Sequence, residues 1–137
     1  VTAQTHLPPG WEDSLVAALR GKPDPEKRRF LTAWARAEGG DAEWNPLNTT
    51  FPLPWSTVVD GNPDGVRNYP RAVWGVCATA MTLTTPANGK LTYPTLLARL
   101  QAPSGAHTAE QILADCRAEL EHWGSNPDLI LQILRSG

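Results

Sequence analysis

Residues 30–50, FLTAWARAEGGDAEWNPLNTT, decide how the chain is read. Phe30, Leu31, Trp34 and Ala37 recur at i, i+1, i+4 and i+7, the period of one helical face. Glu38 continues that face, four residues after Trp34, so a carboxylate stands where the pattern places an apolar side chain. Gly39 and Gly40 then stop the helix, and a loop rich in Asn and Thr follows. A carboxylate on the inner face of a helix end, beside a tryptophan and facing a loop, has the setting of a general acid. Burial disfavours its charged form and raises its pKa. The same pattern is also met by a helix-end glutamate that points to water or caps a neighbour.

Outward from this stretch, Asp24 caps the helix, with Pro25 at its first position and Glu26 in its first turn. Upstream, Trp11, Leu15, Val16 and Leu19 mark a short helix closed by Gly21, after an extended lead-in over residues 1–10 that ends in Pro8, Pro9 and Gly10. Downstream, the least helical part carries Pro46, Pro52, Pro54 and Pro63. Within it, residues 56–59 and 66–69 flank the turn-rich block Asp60-Gly61-Asn62-Pro63-Asp64-Gly65, which predicts a small β-hairpin. Pro70 opens the next helix, to about residue 84. Val73, Val76, Cys77, Ala80, Met81 and Leu83 give it a wide apolar face, as in a buried central helix of the second half. Thr92 and Pro94 start a helix with Tyr93, Leu96, Leu97 and Leu100 on one side, broken at Pro103-Ser104-Gly105. Thr108-Ala109-Glu110-Gln111 is a capping box, continued as one helix by Ile112, Leu113, Cys116, Leu120 and Trp123. Pro127 opens a last helix with Leu129, Ile130, Ile133 and Leu134. The fold class is α+β and mainly α. About six helices and one small hairpin form a single domain over residues 1–137, with a cleft between lobes and Glu38 at their junction.

A chain of 137 residues with 41% apolar content suits one globular domain with a real core. The formal charge is −2, and the one dense basic patch, Lys27-Arg28-Arg29, lies on an ordinary helix start, which argues against nucleic acid as partner. No apolar run approaches the roughly 18 residues of a membrane span. The chain begins at Val1 without a hydrophobic leader, so either a leader was removed or this is a piece of a longer protein. Oligomeric state is not legible. Cys77 and Cys116 fall on apolar helical faces and read as two buried thiols, with a disulfide as the alternative.

The loop Asn45-Pro46-Leu47-Asn48-Thr49-Thr50 offers donors and acceptors suited to sugar hydroxyls and N-acetyl groups. It is equally an Asx- or ST-turn loop that bonds to its own backbone. Trp44 and Trp55 lie in loops and either stack on sugar rings or pin a long loop to the body. Trp34, Trp74 and Trp123 sit on helical faces and read as core. His6, His107 and His122 are far apart and show no metal spacing. Ser and Cys nucleophile motifs are absent, and no helix carrying Lys-Ser/Thr follows Gly61 and Gly65 to make a phosphate loop. No metal and no cofactor are expected.

Taken together, WARAEGG at residues 34–40, NPLNTT at residues 45–50, VRNYP at residues 66–70, and Gly75-Val76 with Ala78-Thr79 and Leu83 resemble a known pattern. It is that of the lysozyme-like domains of bacteriophages of actinobacteria and related hosts, whether endolysins or tail-associated lysins. These are relatives of goose-type lysozymes and soluble lytic transglycosylases. The resemblance runs from about Phe30 to Gly124. It implies a lysozyme-like fold and cleavage of the β-1,4 bond between N-acetylmuramic acid and N-acetylglucosamine in peptidoglycan glycan strands. The family's acid falls on Glu38. Asn45, Asn48, Thr49 and Thr50 would line the cleft with Trp44 and Trp55, and Asn68 and Tyr69 would face it. The implied place of action is the bacterial cell wall, from a virion or after release from the host cytoplasm. Two departures leave hydrolase and lyase chemistry both open: Gly39 follows the glutamate where lytic transglycosylases usually carry Ser, and no Gly-Leu-Met-Gln-like segment follows. The second carboxylate stays open among Asp41, Glu43, Asp60 and Asp64, and a route with Glu38 alone is the other possibility. A non-catalytic wall-binding or virion structural module on the same fold is the alternative function.

Overall fold

A computed structural model describes residues 7–137. Residues 1–6 of the expected lead-in, His6 among them, lie outside the described residues. The helix α2 (Pro25–Glu38) forms as its sequence predicts. The Asp24 carboxylate accepts the Lys27 N–H at 2.8 Å and reaches across to the Gly105 N–H at 3.0 Å. A first-turn donor with no partner inside the helix is thereby satisfied. Gly39, at φ 60°, ends the helix in the left-handed region that glycine enters without a Cβ clash. Phe30, Leu31 and Trp34 are fully buried, and burying side chains of this size contributes roughly 1.5–3 kcal/mol each. The helix packs on α1 (Trp11–Ala18), α5 (Ala109–Asp115) and α7 (Pro127–Ser136), while α3 (Ala72–Thr84) lies on α1 and α4 (Pro94–Gln101).

Seven helices stand among the described residues, one more than the sequence predicts. The stretch after Thr108 turns at Cys116 (φ −100°, ψ 9°) and divides into α5 and α6 (Arg117–Trp123). On α6, Glu119 meets the start of α4, where its carboxylate accepts the N–H groups of Thr95 and Leu96 at 2.9 and 2.8 Å. The predicted hairpin is present but short. β1 (Thr57–Val58) and β2 (Arg67–Asn68) pair antiparallel with Thr57 opposite Asn68. No helix among the described residues is long and apolar enough to cross a membrane.

The expectation of a buried central helix at α3 is corrected. Val73 is 66% exposed and Cys77 is exposed, because α3 buries Gly75, Val76, Ala78, Thr79, Ala80 and Leu83 instead. The Val73, Cys77 and Met81 edge borders a groove against Pro8, Pro9, Ser14 and Ala18. Cys116 is buried as expected, neither cysteine is paired, and burial pushes the Cys116 thiol up to about 12. The basic patch also dissolves. Lys27 is buried, with its ammonium donating to the Lys22 and Ala102 carbonyls, while Arg28 pairs with Asp13 and Arg29 with Glu26 and Glu110.

Gly75 is where α3 touches the long loop before it. A Cβ there would stand 1.5 Å from the Trp44 carbonyl oxygen. Overpacking against backbone typically costs about 1–3 kcal/mol, so Gly75→Ala is expected to lower stability by that amount. Urea denaturation of the purified variant measures it, and an unchanged midpoint would mean that α3 and the loop are not in firm contact.

Candidate functional site around Glu38

Residues 39–71 run for most of their length without regular structure, which is unusual for a compact domain and commonly marks a functional loop. Side chains replace the missing backbone ladder. Asn45 is the main staple. Its Oδ1 accepts the Thr49 N–H at 2.9 Å, and its Nδ2 donates to the Thr49 and Arg67 carbonyls at 2.9 and 2.8 Å. The Arg67 N–H returns to the Thr49 carbonyl at 3.3 Å. The Tyr69 hydroxyl donates to the Phe51 carbonyl at 2.6 Å, and the Tyr69 N–H donates to Glu43 O at 3.0 Å. Asn68 Oδ1 accepts the Glu43 N–H at 2.9 Å. The Thr49 and Thr82 hydroxyls bond to each other, tying the loop to α3. Leu47 is fully buried, and Trp123 Nε1 donates to its carbonyl at 2.8 Å.

Several expected substrate-facing residues are therefore structural. Asn45, Thr49 and Tyr69 are each 2% exposed and committed to loop backbone or to α3. Burial pushes the Tyr69 phenol up to about 12. The loop follows the self-bonded alternative at these positions, because a buried backbone without a ladder must find other partners. Asn68 is partly buried and braces the loop, Trp44 is half buried with its carbonyl against Gly75, and Thr50 is exposed.

Trp55 differs from all of these. It is 79% exposed and stacks on Trp74, with ring centroids 5.3 Å apart and planes at 36°. Trp74, expected in the core, instead backs this outward-facing ring. Trp44 and Trp55 also hold φ of 54° and 62°. Bulky residues rarely occupy this region, and each such residue stores roughly 1–3 kcal/mol of strain. The loop hydrogen bonds hold the backbone there.

Glu38 lies where the end of α2, the loop and the α6–α7 junction meet. Its Oε2 accepts the Ser125 hydroxyl at 2.9 Å, and Ser125 Oγ in turn accepts Trp34 Nε1–H at 2.7 Å. On the other side, Asn48 Nδ2 stands 3.5 Å from both Glu38 Oε1 and the Glu38 carbonyl. Gly40 makes room for this approach, since a Cβ on it would sit 2.0 Å from Asn48 Oδ1. Burial raises the Glu38 pKa, and the Ser125 and Asn48 hydrogen bonds lower it in part. Asp41, Asp60 and Asp64 are exposed. Among the described residues no cluster of His, Cys, Asp and Glu is arranged to hold a metal ion.

Sequence reasoning brings Glu38 and Asn48 together but misses Ser125, which is 87 positions away from Glu38 along the chain. It also misses the polar use of the core tryptophans, the Trp34 and Trp123 indole N–H groups. A helix-stop glycine before Ser125-Asn126-Pro127 was the one signal there, and it announces the start of α7 rather than a contact with Glu38.

The chain matches no family model, no curated protein and no solved structure in the comparisons made.

Proposed function

We propose that this chain is a peptidoglycan-cleaving glycosidase with Glu38 as its general acid. The observation that carries the reading is the Glu38 carboxyl itself. It is half buried at a helix end, held on one oxygen by Ser125 and faced on the other by the Asn48 amide, and its pKa is raised by burial. A carboxyl whose pKa is raised by burial keeps its proton to higher pH than a free glutamate and can protonate a leaving-group oxygen. The resemblance of WARAEGG and NPLNTT to phage lysozyme-like domains supplies the substrate class: the β-1,4 bond between N-acetylmuramic acid and N-acetylglucosamine. On this reading the fold is lysozyme-like, with a cleft between the hairpin side and the helical side, and the chain acts on the bacterial cell wall.

Ser125 and Asn48, the two side chains that hydrogen-bond the Glu38 carboxyl, are both neutral, and the route we put forward uses Glu38 alone. Glu38 protonates the glycosidic oxygen as the C–O bond breaks. The substrate's own N-acetyl or 6-hydroxyl group then attacks the sugar carbon, and Glu38 takes back a proton as base. The exposed Trp55 ring backed by Trp74 suits stacking on a sugar face, in an enzyme or in a non-catalytic wall-binding module. Purified peptidoglycan incubated with the protein and examined by product mass tests the proposal. A 1,6-anhydro end marks a transglycosylase, a reducing end marks a hydrolase, and no soluble muropeptide at all rejects both.

Asn48 provides a narrower test. Asn48→Ala removes the amide beside Glu38 and places alanine at φ 56°, which costs about 1–2 kcal/mol of stability. Asn48→Gly adopts that backbone freely and keeps the wild-type stability. Both variants are expected to cleave peptidoglycan roughly tenfold more slowly, the scale of one lost hydrogen bond near 1.4 kcal/mol. Full activity in Asn48→Gly would take the amide out of the site.

A further inference from the structure

We propose that Ser125 is a positioning residue for Glu38: with its oxygen engaged by the Trp34 indole, its hydroxyl holds Glu38 Oε2 as an acceptor and leaves Oε1 as the oxygen that carries the acid proton. The inference rests on the reading of Glu38 as a general acid. Its structural half, the arrangement of the three groups, stands on geometry alone.

An indole N–H can only donate, and a serine hydroxyl has one hydrogen and two lone pairs. Trp34 Nε1–H, at 2.7 Å, occupies one lone pair of Ser125 Oγ. The acceptor that the Ser125 hydrogen meets is Glu38 Oε2 at 2.9 Å. Placing the Glu38 proton on Oε2 instead, directed at Oγ, would leave the Ser125 hydrogen without an acceptor at a site only 8% exposed, and an unmade hydrogen bond there is costly. A neutral Glu38 therefore carries its proton on Oε1. The side-chain partner of that oxygen is Asn48 Nδ2 at 3.5 Å, a donor that cannot accept the proton. The proton is left for a bound oxygen.

Both supports are fixed from outside the site. Trp34 packs edge-on against Trp123 with ring centroids 5.1 Å apart, and tilts against Phe30 at 5.8 Å. The Ser125 N–H donates to the Leu120 carbonyl at 2.9 Å, and the neighbouring Asn126 caps α7 by accepting the Leu129 N–H at 3.2 Å. The orientation of the carboxyl is thus set by the core of α2 and by the α6–α7 junction rather than by the loop. Burial is the largest influence on Glu38, and the Ser125 hydrogen bond is the larger of the two that oppose it. A hydroxyl that donates to a carboxylate favours the charged form and opposes the effect of burial. Removing it raises the Glu38 midpoint.

The test is a pH titration of the whole 137-residue protein labelled with ¹³C at glutamate carboxyls, followed by NMR. The Glu38 resonance is identified by its loss in Glu38→Gln. Ser125→Ala is expected to shift the Glu38 midpoint upward, and Ser125→Thr, which keeps the hydroxyl, to restore it. Ser125→Cys keeps the size with a weak donor and gives a smaller upward shift, which serves if the alanine variant folds poorly. On peptidoglycan, Ser125→Ala should move the alkaline limb of the pH profile upward and lower kcat by about threefold to tenfold with KM unchanged, because the carboxyl is no longer held in one orientation. An unmoved Glu38 midpoint in folded Ser125→Ala and Ser125→Cys overturns the proposal. A raised midpoint in a protein whose wild type releases no muropeptides rejects the glycosidase reading and leaves the Trp34–Ser125–Glu38 arrangement standing.

Discussion

Glu38→Gln is expected to release muropeptides from purified peptidoglycan about 10²–10⁴-fold more slowly than the wild type, or slower still. The substitution keeps the shape of the side chain and removes the transferable proton. The Ser125 hydroxyl keeps an acceptor if the amide oxygen takes the place of Oε2. Stability should hold or rise slightly, since a buried acid is replaced by a neutral amide. The sign of the pH dependence follows from the raised pKa. The folded state binds the Glu38 proton more tightly than the unfolded chain does. That contribution is fully present below the ordinary glutamate value of 4.5 and is lost as pH rises through the higher folded value. Wild type and Glu38→Gln should thus differ least in acid, and the variant should gain on the wild type between those two values. Release rates at matched folded concentration, with thermal unfolding across that pH range, check both parts. Equal release rates would remove Glu38 from the mechanism, and with it the main reason for reading this protein as an enzyme.

Asn45→Ala is expected to be the most destabilising polar substitution in the loop, by about 3 kcal/mol or more, with activity lost alongside. One side chain makes three hydrogen bonds there, to the Thr49 N–H and to the Thr49 and Arg67 carbonyls, at a position 2% exposed. Alanine would strand these groups, and each buried unsatisfied group costs roughly 1–3 kcal/mol. The loss would also loosen the pairing of residue 49 with residue 67, and so the base of the hairpin and the approach of Asn48 to Glu38. Denaturation midpoints compared for Asn45→Ala and Asn48→Gly separate the two asparagines. A destabilisation confined to Asn45→Ala is expected. An Asn45→Ala protein as stable as wild type but inactive would instead make Asn45 a ligand-contacting residue.

The contrast between these two asparagines shows where local reading stops. Both lie in NPLNTT, both suit a sugar and both suit a turn. Only the path of residues 67–69 past the loop decides that Asn45 is enclosed and Asn48 is left beside Glu38. The same division holds for the tryptophans. Trp34 lies on the helical stripe and is buried as that stripe requires. Trp74 also lies on a helix, yet it ends beneath Trp55, because α3 turns a different face to the core than its apolar count suggests.

What the sequence determined by itself is the set of features written within one or two helical turns. Asp24 with Pro25 starts α2, Gly39 stops it, Thr108 and Gln111 form their capping box, and the block from Asp60 to Gly65 turns the hairpin. In each the interacting groups are close along the chain, three or four residues apart at the helix ends and at most eleven across the hairpin, so chain connectivity already brings them together. The placement of Glu38 at the end of an apolar stripe belongs to this class. Tertiary structure alone decided the rest. Glu119 caps α4 from 23 and 24 residues away, Trp123 holds the Leu47 carbonyl across 76, and Ser125 meets Glu38 across 87. Such contacts leave no periodicity in the sequence, because their geometry depends on how whole helices pack. A carboxylate can be read as a candidate acid from its own helix, but the serine that meets one of its oxygens comes from the distant junction of α6 and α7.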